Sequence, residues 1–196
     1  MTSTRPDLIL ASASPRRLQL LDQIGIAPAR IAPADIDEAV SPREQPRLHA
    51  MRIATEKAKV VYGRVDEHER AVILAADTVV ACGRRILPKA EDDATVTKCL
   101  TFLSGRAHHV LTAVAVIDAT GKLRTRIVDT KVSFRRLEAE EIAAYLDTRE
   151  GLGKAGGYAI QGRAAVFVRT INGSYSNVVG LPLTETFRLL QACGVA

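Results

Sequence analysis

The chain has no tryptophan, and only four phenylalanines and four tyrosines among its 196 residues. Proteins that read nucleic acid interleave basic runs with aromatic faces on which bases stack. Here the arginines and lysines are scattered, so the composition speaks against nucleic acid as a partner. Cysteine is also scarce: Cys82, Cys99 and Cys193 are odd in number and have no metal-ligand spacing, which argues against a disulfide framework and against a zinc site. No apolar stretch approaches the length of a membrane span. The run at Leu8 to Ala11 is too short for a secretory signal, so a cytoplasmic protein without a membrane partner is expected. Repeats and low-complexity tracts are absent, and His49, His68, His108 and His109 lie in no HExxH or triad context.

What is present is an ordinary globular composition, 47% hydrophobic and 25% charged, with length enough for one good core over residues 1–196. The net charge of +5 and pI near 9.3 favour an anionic partner. Strand-like runs alternate with helical periodicity. An apolar run ends near Ala11, a helix follows from Pro15 to Gly25, and a Pro- and acid-rich strand and loop fills 27–46. Leu48, Met51, Ala54, Ala58 and Val61 then mark a second helix. AVILAADTVVA (71–81) suits a strand covered on both faces. A helix over 92–103 precedes strands over 107–117 and 123–134, joined by a turn at Asp118 to Gly121. A short helix (138–147), the glycine-rich GLGKAGGYAIQG (151–162), a strand in AAVFVRTI, a loop in NGSYSNVVGLP and a closing helix from 183 complete an α/β pattern.

The stretch LILASASPRRLQLL (8–21) breaks a rule of helix composition. Ser14 is a candidate cap and Pro15 takes the first helical position. Arg16 and Arg17 then load positive charge onto a first turn that already carries the positive end of the helix dipole. Either the long side chains bend away into solvent, or Ser12, Ser14, the free backbone N–H groups and two guanidiniums form a site for phosphate or polyphosphate, whose charge offsets the repulsion.

Asp77 interrupts an apolar run. A carboxylate buried there without partners costs several kcal/mol. It is expected at the strand's end, facing a cation, a metal or a water, or else capping the next turn. With Asp37 or Glu38 it could hold a hard divalent ion together with substrate phosphate oxygens. Lys57 in TEKAK, Lys89 in GRRILPKAEDD and Lys154 in GKAGGY are either solvated surface lysines or phosphate ligands. In AGGYAIQG the glycines either admit a ligand close to the backbone or meet a demand for positive φ, and Gln161 offers a donor and an acceptor to a base edge.

Taken together, LASASPRR, the acidic pair at 37–38, TEKA at 55–58, AADT at 75–78, LSG at 103–105, KAGGYAIQG at 154–162 and GSYSNVVGLPL at 173–183 resemble the Maf family of nucleoside triphosphate pyrophosphatases. The resemblance runs in order from residue 8 to about 190. It implies a mixed, strongly twisted sheet flanked by helices, of Maf/ITPase-like kind, with a central cleft between two lobes. It also implies a homodimer, and hydrolysis of a nucleoside triphosphate to the monophosphate and pyrophosphate with Mg²⁺ or Mn²⁺. Asp77 matches the family's proton acceptor and Glu38 an acid assisting the metal or the water, so both are candidate metal ligands. Ser12, Arg16, Arg17, Lys57 and Lys89 match the phosphate-binding set. Arg16, Thr78 and Gln161 match the branch acting on dTTP and UTP, where the 7-methyl-GTP branch carries tryptophan, glutamine and glutamate; Thr78 and Gln161 would read the pyrimidine. A broader triphosphate specificity and a low-turnover nucleotide-binding regulator of cell division are the competing readings. The chain departs from the family at Lys89-Ala90, where Lys-Pro is usual, which removes a backbone constraint beside Lys89.

Overall fold

The structure, a computed structural model, describes residues 5–66 and 69–196; His68 lies outside them. Seven strands form one mixed sheet in the order β2-β1-β3-β5-β6-β7, with β4 added beside β3. The strands are β1 Asp7–Leu10, β2 Arg30–Ile31, β3 Ala71–Cys82, β4 Arg85–Leu87, β5 Ala107–Ile117, β6 Leu123–Phe134 and β7 Val168–Asn172. β1 runs parallel to β2 and β3, and all other pairings are antiparallel. The helices are α1 Pro15–Gln23, α2 Pro46–Tyr62, α3 Asp93–Leu103, α4 Ala139–Leu146, α5 Tyr175–Val179 and α6 Leu183–Gln191. A mixed α/β sheet flanked by helices is thus the observed architecture. No helix of the described residues is long and apolar enough to cross a membrane.

The strand period of two sorts β3 between two cores. Ile73, Ala75 and Val79 pack with Ala50, Ala54 and Ala58 of α2. Val72, Leu74, Ala76 and Val80 pack on the opposite face, with Leu100 and Leu103 of α3 and Leu190 of α6. Asp77 therefore faces α2 and Thr78 faces the other layer.

Three local expectations change. AAVFVRTI is not one strand: Arg163–Phe167 form a 3-10 turn before β7, because burial falls on Ala164 and Phe167, three apart, instead of alternating. The stretch read as a loop from Asn172 to Pro182 holds α5, capped by the Ser174 side chain, which accepts from Asn177 N–H. Asp77 is not at a strand's end but in the middle of β3.

The reason lies in the sheet edge. β5 holds one edge of β3 from Ile73 to Ala81. β1 and β4 must share the other, pairing at Ala71–Leu74 and Val80–Cys82. Ala75 to Val79 form a gap between them, beyond the carboxyl end of β1, which is where open α/β sheets bind ligands.

His108, fully buried on β5, is hydrogen-bonded through Nε2 to the Tyr158 hydroxyl at 2.8 Å and packs edge-on against the Phe134 and Tyr158 rings. Burial, assisted by His109, pushes its pKa down from 6.5 to about 4. The unfolded chain therefore takes up this proton below pH 6.5 while the native state does not, so stability is complete above that pH and falls as pH drops toward 4. From pH 7 to 4 this contributes a loss of about 3 kcal/mol. His108→Gln retains a partner for Tyr158 without titrating, and urea unfolding at both pH values should show the wild type losing that much more than the variant. Equal losses would mean that His108 titrates alike in both states.

Candidate active site

The gap in β3 opens into a cleft of about 1040 Å³. The nine residues matched through the family resemblance line it, Ser12, Arg16, Arg17, Glu38, Lys57, Asp77, Thr78, Lys89 and Gln161, and so do Ser14 and Lys154. Asp37 does not: it is exposed, and its carboxylate accepts from Ala39 N–H at 2.8 Å within its own loop.

On the α1 side the two arginines do not bend away. Ser14 occupies the N-cap position without a side-chain capping bond, and no acidic residue stands in the first turn. The Arg17 guanidinium turns back across the chain, donating from Nε to Gly180 C=O (2.9 Å), from Nη1 to Ser12 Oγ (2.9 Å) and from Nη2 to Thr78 Oγ1 (3.3 Å). A guanidinium has five N–H groups, so two remain for a ligand. Ser12 Oγ accepts from Arg17 and from Ser14 N–H at 3.2 Å. Both its lone pairs are used, and its own proton is left to donate. Arg16 Nε is out of contact with solvent and has no partner among the described residues. Burial lowers the pKa of both arginines, with Asp77 opposing the shift at Arg17. Arg16, Arg17 and Ser12 thus gather N–H and O–H donors on one wall of the cleft.

Across the cleft, Lys57 reaches from α2 between two acids, its Nζ 2.6 Å from Glu38 Oε1 and 2.9 Å from Asp77 Oδ1. Lys57 and Asp77 are each 8% exposed, so this lysine is not a surface residue. Burial raises the Glu38 pKa, but the hydrogen bond and charge of Lys57, aided by Lys89 and Arg17, outweigh it and hold the group below its ordinary value. The Glu38 loop is braced from α2: Arg52 donates to Ala39 C=O (2.9 Å) and grips both Glu44 oxygens, and His49 Nδ1 meets Glu44 at 2.9 Å. Arg52 thereby holds the Glu44 carboxyl far below the usual carboxylate range.

Lys89 belongs to a second backbone layer. The 88–90 segment pairs with the glycine-rich stretch through Ala90 N–H to Lys154 C=O (3.0 Å), Gly153 N–H to Ala90 C=O (2.7 Å) and Gly156 N–H to Pro88 C=O (3.0 Å). Where the family pattern would have proline, Ala90 supplies an N–H that proline lacks, and that bond replaces the missing ring constraint beside Lys89. Lys154, donating to Leu152 C=O at 2.9 Å, has its pKa lowered by burial and by the charges of Arg16 and Lys89. Gly156 and Gly157 both adopt positive φ, and a Cβ on either would press on Val80 or Val96. Their role is in turning and packing the loop, not in admitting a ligand. Gln161 is exposed on the cleft wall, and its side chain makes no hydrogen bond among the described residues.

The Maf-like protein family model matches residues 7–193. The chain belongs to the Maf-like protein family. The relative from Caulobacter vibrioides, a dTTP/UTP pyrophosphatase, is 55% identical over 96% of this Maf-like chain and 96% of its own length. That from Paramagnetospirillum magneticum, with the same name, is 56% identical over 96% and 98%. Overlap with a solved nucleoside-triphosphatase / dITP/XTP pyrophosphatase from Mycobacterium abscessus is partial, with a TM-score of 0.42 and 18% identity over 68% of this chain and 76% of that one.

One part of the Maf-like site escaped sequence reasoning. Gly180, Thr112 and Asn177, which reach Arg17 directly or through Thr78, lie 34 to 163 residues from their partners; the block GSYSNVVGLPL hinted at Asn177 and Gly180, and nothing hinted at Thr112.

Proposed function

We propose that the protein hydrolyses dTTP and UTP to the nucleoside monophosphate and pyrophosphate, and that a single Maf-like domain over 1–196 carries the site. The observation that carries this is the convergence in one cleft of an anion-binding arm with unspent donors and a carboxylate pair held by one lysine. The pyrimidine preference follows the names of the relatives.

Ser12, Arg16, Arg17, Lys89 and Lys154 bind the triphosphate, and their charge stabilises the pyrophosphate as it leaves. Asp77 takes a proton from water as the water oxygen bonds to the α-phosphorus. The bond from that phosphorus to the α,β-bridging oxygen breaks, and the electron pair leaves with pyrophosphate. Lys57 orients Asp77 and Glu38. Gln161 presents a donor and an acceptor to the pyrimidine edge.

A divalent ion fits the donor set. Glu38 Oε2 and Asp77 Oδ2 accept no side-chain hydrogen bond among the described residues. Mg²⁺ is commonly held by one or two carboxylates plus substrate phosphates. Among the described residues no three His, Cys, Asp or Glu side chains gather as ligands, and two carboxylates leave positions on such an ion for water and substrate phosphates. Glu38 and Asp77 would hold Mg²⁺ or Mn²⁺, which supplies charge neutralisation on the phosphate oxygens.

The test is pyrophosphate release from dTTP, UTP, CTP, GTP and 7-methyl-GTP with Mg²⁺ or Mn²⁺. Release selective for dTTP and UTP is expected. A preference for 7-methyl-GTP overturns the substrate assignment, and tight binding without turnover supports a nucleotide-binding regulator instead.

A further inference from the structure

Thr78 invites assignment to the base because it stands next to Asp77 in the cleft. The hydrogen bonds around it point elsewhere. Thr112 Oγ1 donates its single proton to Asn177 C=O at 2.9 Å, an oxygen that can only accept. At the 2.9 Å contact between Thr78 and Thr112 the proton must therefore come from Thr78. With its proton spent on Thr112, Thr78 Oγ1 is turned as an acceptor to Arg17 Nη2. The direction of the whole chain is fixed: Arg17 to Thr78, Thr78 to Thr112, Thr112 to the Asn177 carbonyl.

The far end is rigid. Thr112, Thr130 and Asn177 are fully buried. Asn177 Nδ2 donates to Val110 C=O and to Thr130 Oγ1, each at 2.9 Å, locking α5 onto β5 and β6. The same segment returns to Arg17 directly, since Gly180, at φ +130°, offers its carbonyl to Nε. A Cβ at Gly180 would meet nothing closer than 3.6 Å, so the backbone angle, not space, calls for glycine. The guanidinium is thus held through Nε by Gly180, at the end of α5, and through Nη2 by α5 itself by way of two hydroxyls.

We propose that Thr78, Thr112 and α5 form a positioning relay that fixes the Arg17 guanidinium for the substrate's phosphates, so that Thr78 acts on the phosphate end of the nucleotide and not on its base. This rests on the reading of the cleft as a triphosphate site. A long cation loses rotamer entropy on binding a phosphate, and a relay that orders it beforehand removes that cost from the binding step. A hydroxyl in this role is blind to the base.

The test measures Kd for inorganic pyrophosphate and for the non-hydrolysable α,β-imido analogues of dUTP and GTP. Thr78→Val is expected to weaken all three by a similar factor, about tenfold, the scale of one hydrogen bond to a charged group. Thr78→Ser restores affinity. In an Arg17→Ala background the added effect of Thr78→Val falls below about twofold, as coupling through one partner requires. Thr112→Val, which touches no ligand and keeps the residue's shape, should weaken pyrophosphate binding in the same direction, with urea unfolding reporting its stability separately. Loss confined to the uridine analogue overturns the proposal in favour of base reading, and additive losses in the double variant overturn it too. If Arg17→Ala alone leaves pyrophosphate affinity unchanged, Arg17 is no phosphate ligand; the reading of the arm and the relay built on it then fall together, an outcome distinct from the other two.

Discussion

Asp77→Asn is expected to lower kcat for pyrophosphate release by about 10²- to 10⁴-fold, the range for loss of a positioned general base, while Kd for inorganic pyrophosphate stays level or falls. The substitution is nearly isosteric. Lys57 keeps Glu38 at 2.6 Å, and an amide oxygen at position 77 can still accept from the ammonium now 2.9 Å away. The buried cation therefore retains partners and the fold should survive, which an unchanged urea midpoint would verify. What disappears is the proton acceptor and one negative charge beside the incoming tetra-anion. Lost charge near the phosphates reduces repulsion, which is why affinity should not suffer. Steady-state release with dTTP, paired with direct binding of pyrophosphate, separates the two effects. A variant rate within threefold of the wild type would assign the proton to another group.

The sequence announced this carboxylate, and the reason is instructive. A charged residue inside AVILAADTVVA violates the apolar pattern of a doubly covered strand, and an arginine pair on a helix's first turn violates the dipole rule. Both violations turned out to face the cleft. Residues that break local rules can be seen in one dimension because the rule is local. The place of Asp77 could not be seen. It sits mid-strand, at a gap that exists because β1 stops at Leu10 and β4 resumes pairing only at Val80. β4 is three residues long, too short for a periodic signal. The 3-10 turn at Arg163–Phe167 was hidden for a related reason, since its apolar composition suits a strand and only burial at every third position reveals it.

Lys57 shows the other limit. Residue type and spacing left it between a surface lysine and a phosphate ligand. Its actual partners are twenty residues away on β3 and nineteen away in a loop with no regular structure. α2 carries its alanine face, Ala50, Ala54 and Ala58, across β3, and those small side chains set position 57 beside Asp77. The pairing belongs to helix-on-sheet packing, which no window of sequence contains. Asn177 is similar: a polar residue in an apparent loop, its burial follows from two strands, β5 and β6, meeting α5.

Lys57→Met should therefore damage stability and activity together, and pH should tell the two apart. Methionine fills the same volume but leaves Asp77, 8% exposed, and Glu38, with a side chain 43% exposed, facing each other without a cation. Removing one partner of a buried ion pair costs about 3–5 kcal/mol, and the exposure of Glu38 puts this case at or below the lower bound. For a chain of this length a loss near 3 kcal/mol lowers Tm by roughly 6–12 °C. In the wild type the Glu38 carboxyl lies below its ordinary pKa despite burial, because of Lys57 first and Lys89 and Arg17 after it. That stabilisation is present above the unfolded pKa and is lost as pH falls through the folded one. In Lys57→Met burial acts with less opposition, and a neighbouring carboxylate adds to it, so the folded pKa of Glu38 rises and its protonation relieves the repulsion. The stability gap between wild type and variant should thus narrow as pH falls from 7 through the carboxylate range, while pyrophosphate release stays depressed at every pH because the ammonium that orients both acids is gone. A gap independent of pH would mean that Lys57 contributes through packing of its stem and not through its charge.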